Sequence, residues 1–380
     1  MRVLVLGGTG HFGARLSRRL GDEPGVHLLL SSRSAAAAEQ AAVALRASGA
    51  QARVEGVALD HQATTFGAEL ARLAPRVVVH TAGPFQVQDY RVARACMDCG
   101  SHYIDLADGR EFVAGFEPAL AAQAQAAGVL LVSGASTLPG LSSAVVLTLC
   151  QGWRHVDEVR ICIAPARQTP RGRSTIAAVL GYCGQPLALW EGGAWRRRHG
   201  WQGLALERFS FLPPRLGALC DVPDLALFPQ RLPGLRSISF RAALAAWPEH
   251  AALWLCAALR RLGLVNDWAA HAAVFERLGK LQLLPNRAGG AVGGMVVEVA
   301  GQDAQGRATR LHWGLRAGQN HGPEIPVTPA LALVRKLLHG QIERRGAHVC
   351  WGLISLEDFA REVADLDIAW TCTTVGDAGP

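Results

Sequence analysis

The sequence predicts an α/β protein: an N-terminal doubly wound parallel sheet over residues 1–150, a second, mixed α+β domain over residues 151–325, and C-terminal helices over residues 326–380 that pack back on the first domain. Three observations carry this. Short runs rich in leucine and β-branched residues alternate with alanine-rich amphipathic stretches through the first 150 residues, the rhythm of βαβ units. A cluster of glycines stands between the first such run and the first helical stretch. Beyond Cys150 the strand-like segments alternate polar and apolar residues, and turn signals come close together.

Taken in order, the strands expected in the first domain are Val3 to Leu6, Val26 to Leu30, Ala52 to Val57, Val77 to His80, His102 to Asp105 and Val129 to Val132. Near-continuous apolar character is what a parallel strand covered by helices on both faces requires. Of the intervening helices, Ser34 to Ser48 begins with a serine suited to cap it. In the second domain, Val156 to Ala164 reads as a strand, Ser174 to Tyr182 as a helix and Leu187 to Arg197 as a hairpin turning at Gly192 and Gly193. A second hairpin runs from Met295 to Leu315 with its turn at Asp303 to Gly306. The tryptophan-rich helix Trp247 to Val265 needs cover for its apolar faces, from its own sheet, from a second copy or from an apolar substrate. The tail returns to helical spacing in Pro329 to His339 and Leu356 to Val363.

Composition narrows the function. At 380 residues, 50% hydrophobic and 18% charged, the chain has the makeup of a globular protein. Its longest uncharged window, Pro118 to Trp153, is broken by glycine, proline and serine, so no membrane insertion is expected. No apolar N-terminal run of signal-peptide length is present either, and the expected location is cytoplasmic. The formal charge of +7 is carried almost wholly by arginine, since Lys280 and Lys336 are the two lysines. No basic run interleaved with aromatics appears, which argues against a nucleic-acid partner. Nine scattered cysteines suit reduced, buried thiols, and the lone C-x-x-C pair, Cys96 and Cys99, lacks the second pair of a zinc site; no metal is expected.

The chemistry-bearing residues lie at the ends of the predicted strands. Gly7-Gly8-Thr9-Gly10-His11-Phe12-Gly13 follows the first strand and opens a helix. In that position glycines permit a tight turn, close approach of backbone N–H groups to a pyrophosphate, and close helix–strand packing, so a dinucleotide is expected here. The second strand ends in Ser31-Ser32-Arg33-Ser34, with no acid to accept from a ribose 2′-hydroxyl. Arg33 can instead pair with a 2′-phosphate, with Ser31, Ser32 and Ser34 as donors, which favours NADP over NAD. Asp60, after the third strand, is a candidate for the adenine amino group or for helix capping. After the fourth strand, Ala82, Gly83, Pro84 and Phe85 form a loop expected beside the nicotinamide ribose. Tyr103 and Asp105 end the fifth strand on one face, and are the candidates for proton donor and its orienting partner. Arg110 and Arg173 are candidates for a substrate carboxylate.

The segments VLGGTGHFG, TAGPFQ, ACMDCGSHYIDLADGREF and SGASTLPGLSS resemble the saccharopine dehydrogenase-like family of NADP-binding oxidoreductases. The resemblance continues through RGRSTIAAVLGYCG, CDVPDL, GPEIPVTPALALVRKLLHG and GAHVCWGLISLEDF, and so spans nearly the whole chain. It implies a Rossmann-type first domain, a mixed domain for substrate and dimerisation, C-terminal helices that rejoin the first domain, and a homodimer. It also implies a cofactor role for Gly7, Gly10, Gly13, Arg33 and the Ala82 to Phe85 loop, while leaving the substrate open.

A short-chain dehydrogenase would share the glycine turn but needs a Tyr-x-x-x-Lys pair. Tyr90 is followed by Arg94, and neither Tyr103 nor Tyr182 has lysine four residues on. The expected activity is therefore hydride transfer between NADP(H) and a C=N, C=C or C=O group of a small molecule. The alternative is a non-catalytic NADP-binding sensor or scaffold.

Overall fold

A computed structural model describes residues 1–168, 173–245, 247–275 and 290–375 of the chain. It falls into two compact units, each built from two stretches of sequence. The first comprises Met1–Ala144 and Glu324–Glu362, the second Val145–Pro323 and Val363–Pro380.

The first unit is a parallel seven-stranded sheet. Its strands β1 (Arg2–Leu6), β2 (His27–Ser32), β3 (Arg53–Ala58), β4 (Val77–His80), β5 (His102–Asp105) and β6 (Leu130–Ser133) correspond to the six expected runs. Val3, Leu4 and Val5 of β1 and Val77 to Val79 of β4 have no solvent exposure, the environment their unbroken apolar character calls for. The helices α1 (His11–Gly21), α2 (Ala35–Ala47), α3 (Phe66–Leu73), α4 (Arg91–Asp98) and α5 (Arg110–Ala126) make the return connections. Ser34 caps α2 as expected, accepting from the Ala37 amide at 3.2 Å. The spatial order is β15-β6-β5-β4-β1-β2-β3, where β15 is Gly346–Val349. The chain thus leaves β1 in one direction for β2 and β3, then returns to its other side for β4. That reversal opens a crevice at the carboxyl ends of β1 and β4, the place where such sheets bind ligands.

The seventh strand, β15 (Gly346–Val349), comes from far along the chain and pairs in parallel with β6. Four residues between two helical patterns gave too little periodicity to mark a strand. Beside it, the helix Thr328–Leu338 buries Leu331, Leu333 and Val334 in the same core as Val3, Val5 and Leu16. Arg18 pairs with Glu324 at 2.8 Å, and Arg335 with Glu23 at 2.6 Å and with Glu362.

In the second unit, the remaining strands are β7 (His155–Ala164), β8 (Pro186–Glu191), β9 (Ala194–His199), β10 (Ala205–Glu207), β11 (Arg215–Leu219), β12 (Ser237–Ala242), β13 (Gly293–Gln302), β14 (Ala308–Ala317) and β16 (Ile368–Thr374). Seven of them form a mixed sheet in the order β10-β11-β12-β7-β13-β14-β16, with β12 and β7 parallel. Strands β8 and β9 make a separate hairpin whose turn is Gly192-Gly193. The β13–β14 turn is held by Asp303, which accepts from the amides of Gln305 and Arg307 at 2.9 Å each. After β15, a second stretch of the tail differs from the helical expectation for residues 326–380. Residues 368–374 form β16, antiparallel to β14, with Ile368 opposite Ala317 and Trp370 opposite Leu315. Its β-branched composition fits a strand, but a free edge to pair with is visible only in three dimensions. No helix among the described residues is long and apolar enough to cross a membrane.

Candidate functional site

The glycine cluster fills the turn between β1 and α1. Gly7 adopts φ +76°, and a Cβ there would lie 3.0 Å from the Ala82 methyl. A Cβ at Gly13 would run into the Gly7 carbonyl oxygen and come within 2.7 Å of the Thr81 hydroxyl. With no side chains in the way, the first turn of α1 lies directly against the end of β1. The Gly8 amide donates to the Ser31 carbonyl at 2.9 Å, which ties the turn to β2. The N-cap of α1 is Gly10, with no side-chain cap and no acid in the first turn, so the amide groups of that turn stay open to an anion. The cradle therefore fits a pyrophosphate on two counts, its shape and its electrostatics. Within it, the His11 ring lies edge-on to Phe12 and 3.3 Å from Arg15, and burial and that guanidinium hold the imidazole below its ordinary pKa.

At the end of β2, Arg33 is exposed and makes no ion pair among the described residues. Ser34 is engaged in capping α2, while the Ser32 hydroxyl accepts from the Ser34 amide at 3.3 Å. Asp60 accepts from the Gln62 amide at 3.0 Å, so it organises the turn after β3, which abuts the end of β2 through Leu59 and Ser32. These four residues thus form one rim at the carboxyl ends of β2 and β3.

The Ala82 to Phe85 loop closes the other side of the crevice. Ala82, Gly83 and Pro84 are at least partly exposed, whereas Phe85 is buried and lies 5.0 Å from the His80 ring. Two residues outside the expected set shape this loop. The Thr81 hydroxyl donates to the Leu6 carbonyl at 2.7 Å, and the Gln88 side-chain amide donates to the carbonyls of Ala82 and Pro84 at 2.7 and 3.0 Å. Nothing in the spacing of the sequence marks Gln88, whereas Thr81 stands beside a loop already singled out.

Beneath the loop lies a buried polar cluster. The Tyr103 hydroxyl is hydrogen-bonded to His80 Nδ1 at 3.2 Å, with both residues 1% exposed. Tyr103 stacks on Phe116, and burial raises its pKa well above the ordinary value, the neighbouring Asp105 adding to the effect. Asp105 Oδ1 accepts from the amides of Ala107 and Gly134 and from the Ser133 hydroxyl, at 2.9, 2.8 and 3.0 Å. It thereby joins the ends of β5 and β6. Burial pushes its pKa up to about 6 against those three hydrogen bonds. Tyr103 and Asp105 are together on one face, as their spacing implies, and both are enclosed. His80, which the sequence left unassigned, is the group next to them: its Nε2 has no hydrogen-bond partner, and burial drops its pKa to about 3. Arg110 starts α5, and Arg173 starts the helix Arg173–Tyr182 with its side chain outside the described residues. Among the described residues no cluster of His, Cys, Asp or Glu is placed to hold a metal ion.

An uncapped helix behind a glycine turn, at the switch point of a parallel sheet, is the arrangement of a dinucleotide-binding domain. Residues 3–132 match the family model described as the saccharopine dehydrogenase NADP binding domain. The match covers the glycine turn, the end of β2 and the Ala82 to Phe85 loop. Among solved structures, the chain is similar to the L-Glu-forming saccharopine dehydrogenase of Saccharomyces cerevisiae, at 13% identity and a TM-score of 0.67, covering 98% of this chain and 99% of that one. It is also similar to a homospermidine synthase from Legionella pneumophila solved with NAD, at 10% identity and a TM-score of 0.56, covering 100% and 93%. At these identities the likeness is one of fold. No curated protein sequence matches significantly.

The buried imidazole has a pH signature. Its folded pKa of about 3 lies below the ordinary 6.5 of an imidazole, so between these values the unfolded chain binds a proton that the folded chain does not. Stability therefore falls as pH drops through that window, on the order of 1 kcal/mol per pH unit for this group. Asp105, raised to about 6 from 3.8, acts in the opposite sense between those values. Urea midpoints from pH 7 to 3.5 should decline more steeply for the wild type than for His80→Asn; equal slopes would remove His80 from the account.

Proposed function

We propose that the chain is an NADP(H)-dependent oxidoreductase acting on a C=N, C=C or C=O group of a small molecule. The observation that carries the cofactor choice is the end of β2, where Arg33 is exposed and unpaired and no acid stands among Ser31 to Ser34. Gly7, Gly8, Thr9, Gly10, His11, Phe12 and Gly13 would hold the pyrophosphate. Ser32, Arg33, Ser34 and Asp60 would meet the adenosine end, and Ala82 to Phe85 the nicotinamide end. When bound, the dinucleotide supplies hydride chemistry.

The chain's own groups position that chemistry. Asp105 fixes the carboxyl ends of β5 and β6, and Tyr103 braces His80 under the Ala82 to Phe85 loop. We assign both to positioning, because their burial keeps them from touching substrate. Arg110 and Arg173 remain the proposed partners of a substrate carboxylate, and the second unit the proposed substrate and dimerisation domain. Nine free cysteines are consistent with a cytoplasmic protein. The enclosure of Tyr103 and Asp105 also favours a second possibility, a non-catalytic NADP-binding sensor, which would bind NADPH tightly yet turn over none of a panel of imines, enoyl thioesters and ketones.

Calorimetric titration with NADPH and NADH tests the cofactor assignment. Arg33→Ala should weaken NADPH about tenfold or more, the loss of a charge-assisted contact, and change NADH by less than about twofold. Equal effects on both would reject the 2′-phosphate role, and binding of neither by the wild type would reject the function. Tyr103→Phe should leave NADPH affinity unchanged while kcat falls; an unchanged kcat would exclude the positioning role. For the homodimer, the support is the apolar surface of the helix Trp247–Arg261, where Trp247 is 75% and Leu255 53% exposed. Sedimentation at micromolar concentration should give twice the chain mass, and a monomer would contradict it.

A further inference from the structure

The second unit contains a cavity of about 340 Å³ that shares no residue with the dinucleotide loops. Its charged lining comes from two elements. Arg197 and His199 project from β9, and Arg260 and Arg261 stand in the last turn of the helix Trp247–Arg261; Gln185 and Asn266 complete the polar wall. The strand supplies its pair by alternation. Arg197 and His199 face the cavity, whereas Arg198, on the opposite face, pairs with Glu191 at 2.5 Å. The helix reaches the hairpin because residue 184 is glycine. A Cβ there would lie 2.6 Å from the Ala257 carbonyl oxygen, and Gly184 itself holds φ +75°.

The arginines are held by neutral groups. Arg260 donates to the carbonyls of Gly181 and Cys183 at 2.9 and 3.4 Å, and Arg261 to the Gln202 side-chain oxygen at 3.3 Å. No carboxylate pairs with Arg197, Arg260 or Arg261 among the described residues, and no acid lines the cavity. Arg261 and Arg197 add to burial in holding the His199 imidazole below its ordinary pKa, which marks the positive field in the space between them. The carboxyl end of a helix carries only about half a negative charge, too little to offset three guanidiniums. Guanidinium forks match phosphate oxygens in pairs, and a neighbouring imidazole can donate to a third. The volume is at the lower end of the range of about 300–1,000 Å³ found for small-molecule sites, more than a lone phosphate fills.

We infer that this cavity binds a small phosphorylated molecule at a site separate from the dinucleotide loops. Inorganic phosphate is the probe, titrated calorimetrically into the full chain saturated with NADPH, with acetate as the control anion. A single binding event should appear for phosphate and not for acetate. It should weaken tenfold or more in the double variant Arg197→Gln, Arg261→Gln, and persist in Arg33→Ala, which separates it from any phosphate held at the dinucleotide loops. In the same titration followed by NMR, the pKa of His199 should rise as the anion binds. The exposed, unpaired Arg197 permits the single variant Arg197→Gln if the double variant does not fold. Absence of phosphate binding would overturn the inference, as would binding that these substitutions leave unchanged.

Discussion

The close approach of α1 to β1 is the constraint on which the rest of the first unit depends. It exists because residue 13 has no side chain to collide with the Gly7 carbonyl, and because residue 7 can take a positive φ beside Ala82. Any larger residue at 13 would tilt α1 away from the sheet. The open amides of its first turn would then point elsewhere, and the Thr81 hydroxyl would lose the backbone of Leu6 as its anchor. A local steric fact thus sets the direction of a helix dipole, and through it the place where an anion is welcome.

Around that fixed point the site is layered by burial. The exposed layer, Arg33, Gly83 and Pro84, is free to meet a ligand. Beneath it lie His80, Tyr103 and Asp105, whose polar atoms are satisfied largely by one another and by strand ends. Buried polar groups of this kind are costly unless paired, so they rigidify the loop above at the expense of their own access to solvent. Two atoms stay unpaired, His80 Nε2 and Asp105 Oδ2, and an uncompensated polar atom at the foot of a ligand crevice is where a functional constraint outweighs packing.

What could be read from the sequence follows from the range of the interactions involved. The six strands, the glycine turn and the Ser34 cap are local, with their signals within a few residues, and they stand in the structure as expected. Strand β15 and strand β16 depend on partners more than 50 residues away, and neither has a periodicity long enough to announce itself. The same division holds in the site. Gly7, Gly13 and Arg33 are identifiable because their chemistry is a property of the residue in its turn. The enclosure of Tyr103 and Asp105 is a property of Phe116, Ser133 and Gly134 packing over them, and two polar residues alternating at a strand end look the same whether covered or open. Gln88 is the extreme case, a side chain whose role depends wholly on where the loop before it folds back.

Charge gives a further criterion that sequence alone lacks. With arginine supplying nearly all of the positive charge, a count of basic residues says little about where an anion would go. In the folded chain some of those charges are answered: Arg18 by Glu324, Arg160 by Glu298, Arg310 by Glu158, Arg316 by Asp367 and Arg335 by Glu23 and Glu362. Such pairs contribute modestly to stability, yet they cancel the field that a ligand would feel. Others have no carboxylate partner among the described residues, Arg33 at the end of β2 and Arg197, Arg260 and Arg261 around the cavity of the second unit among them. Like charges held together oppose one another, and the three guanidiniums gathered at the cavity, with no acid in its lining, make a field that a bound anion would relieve.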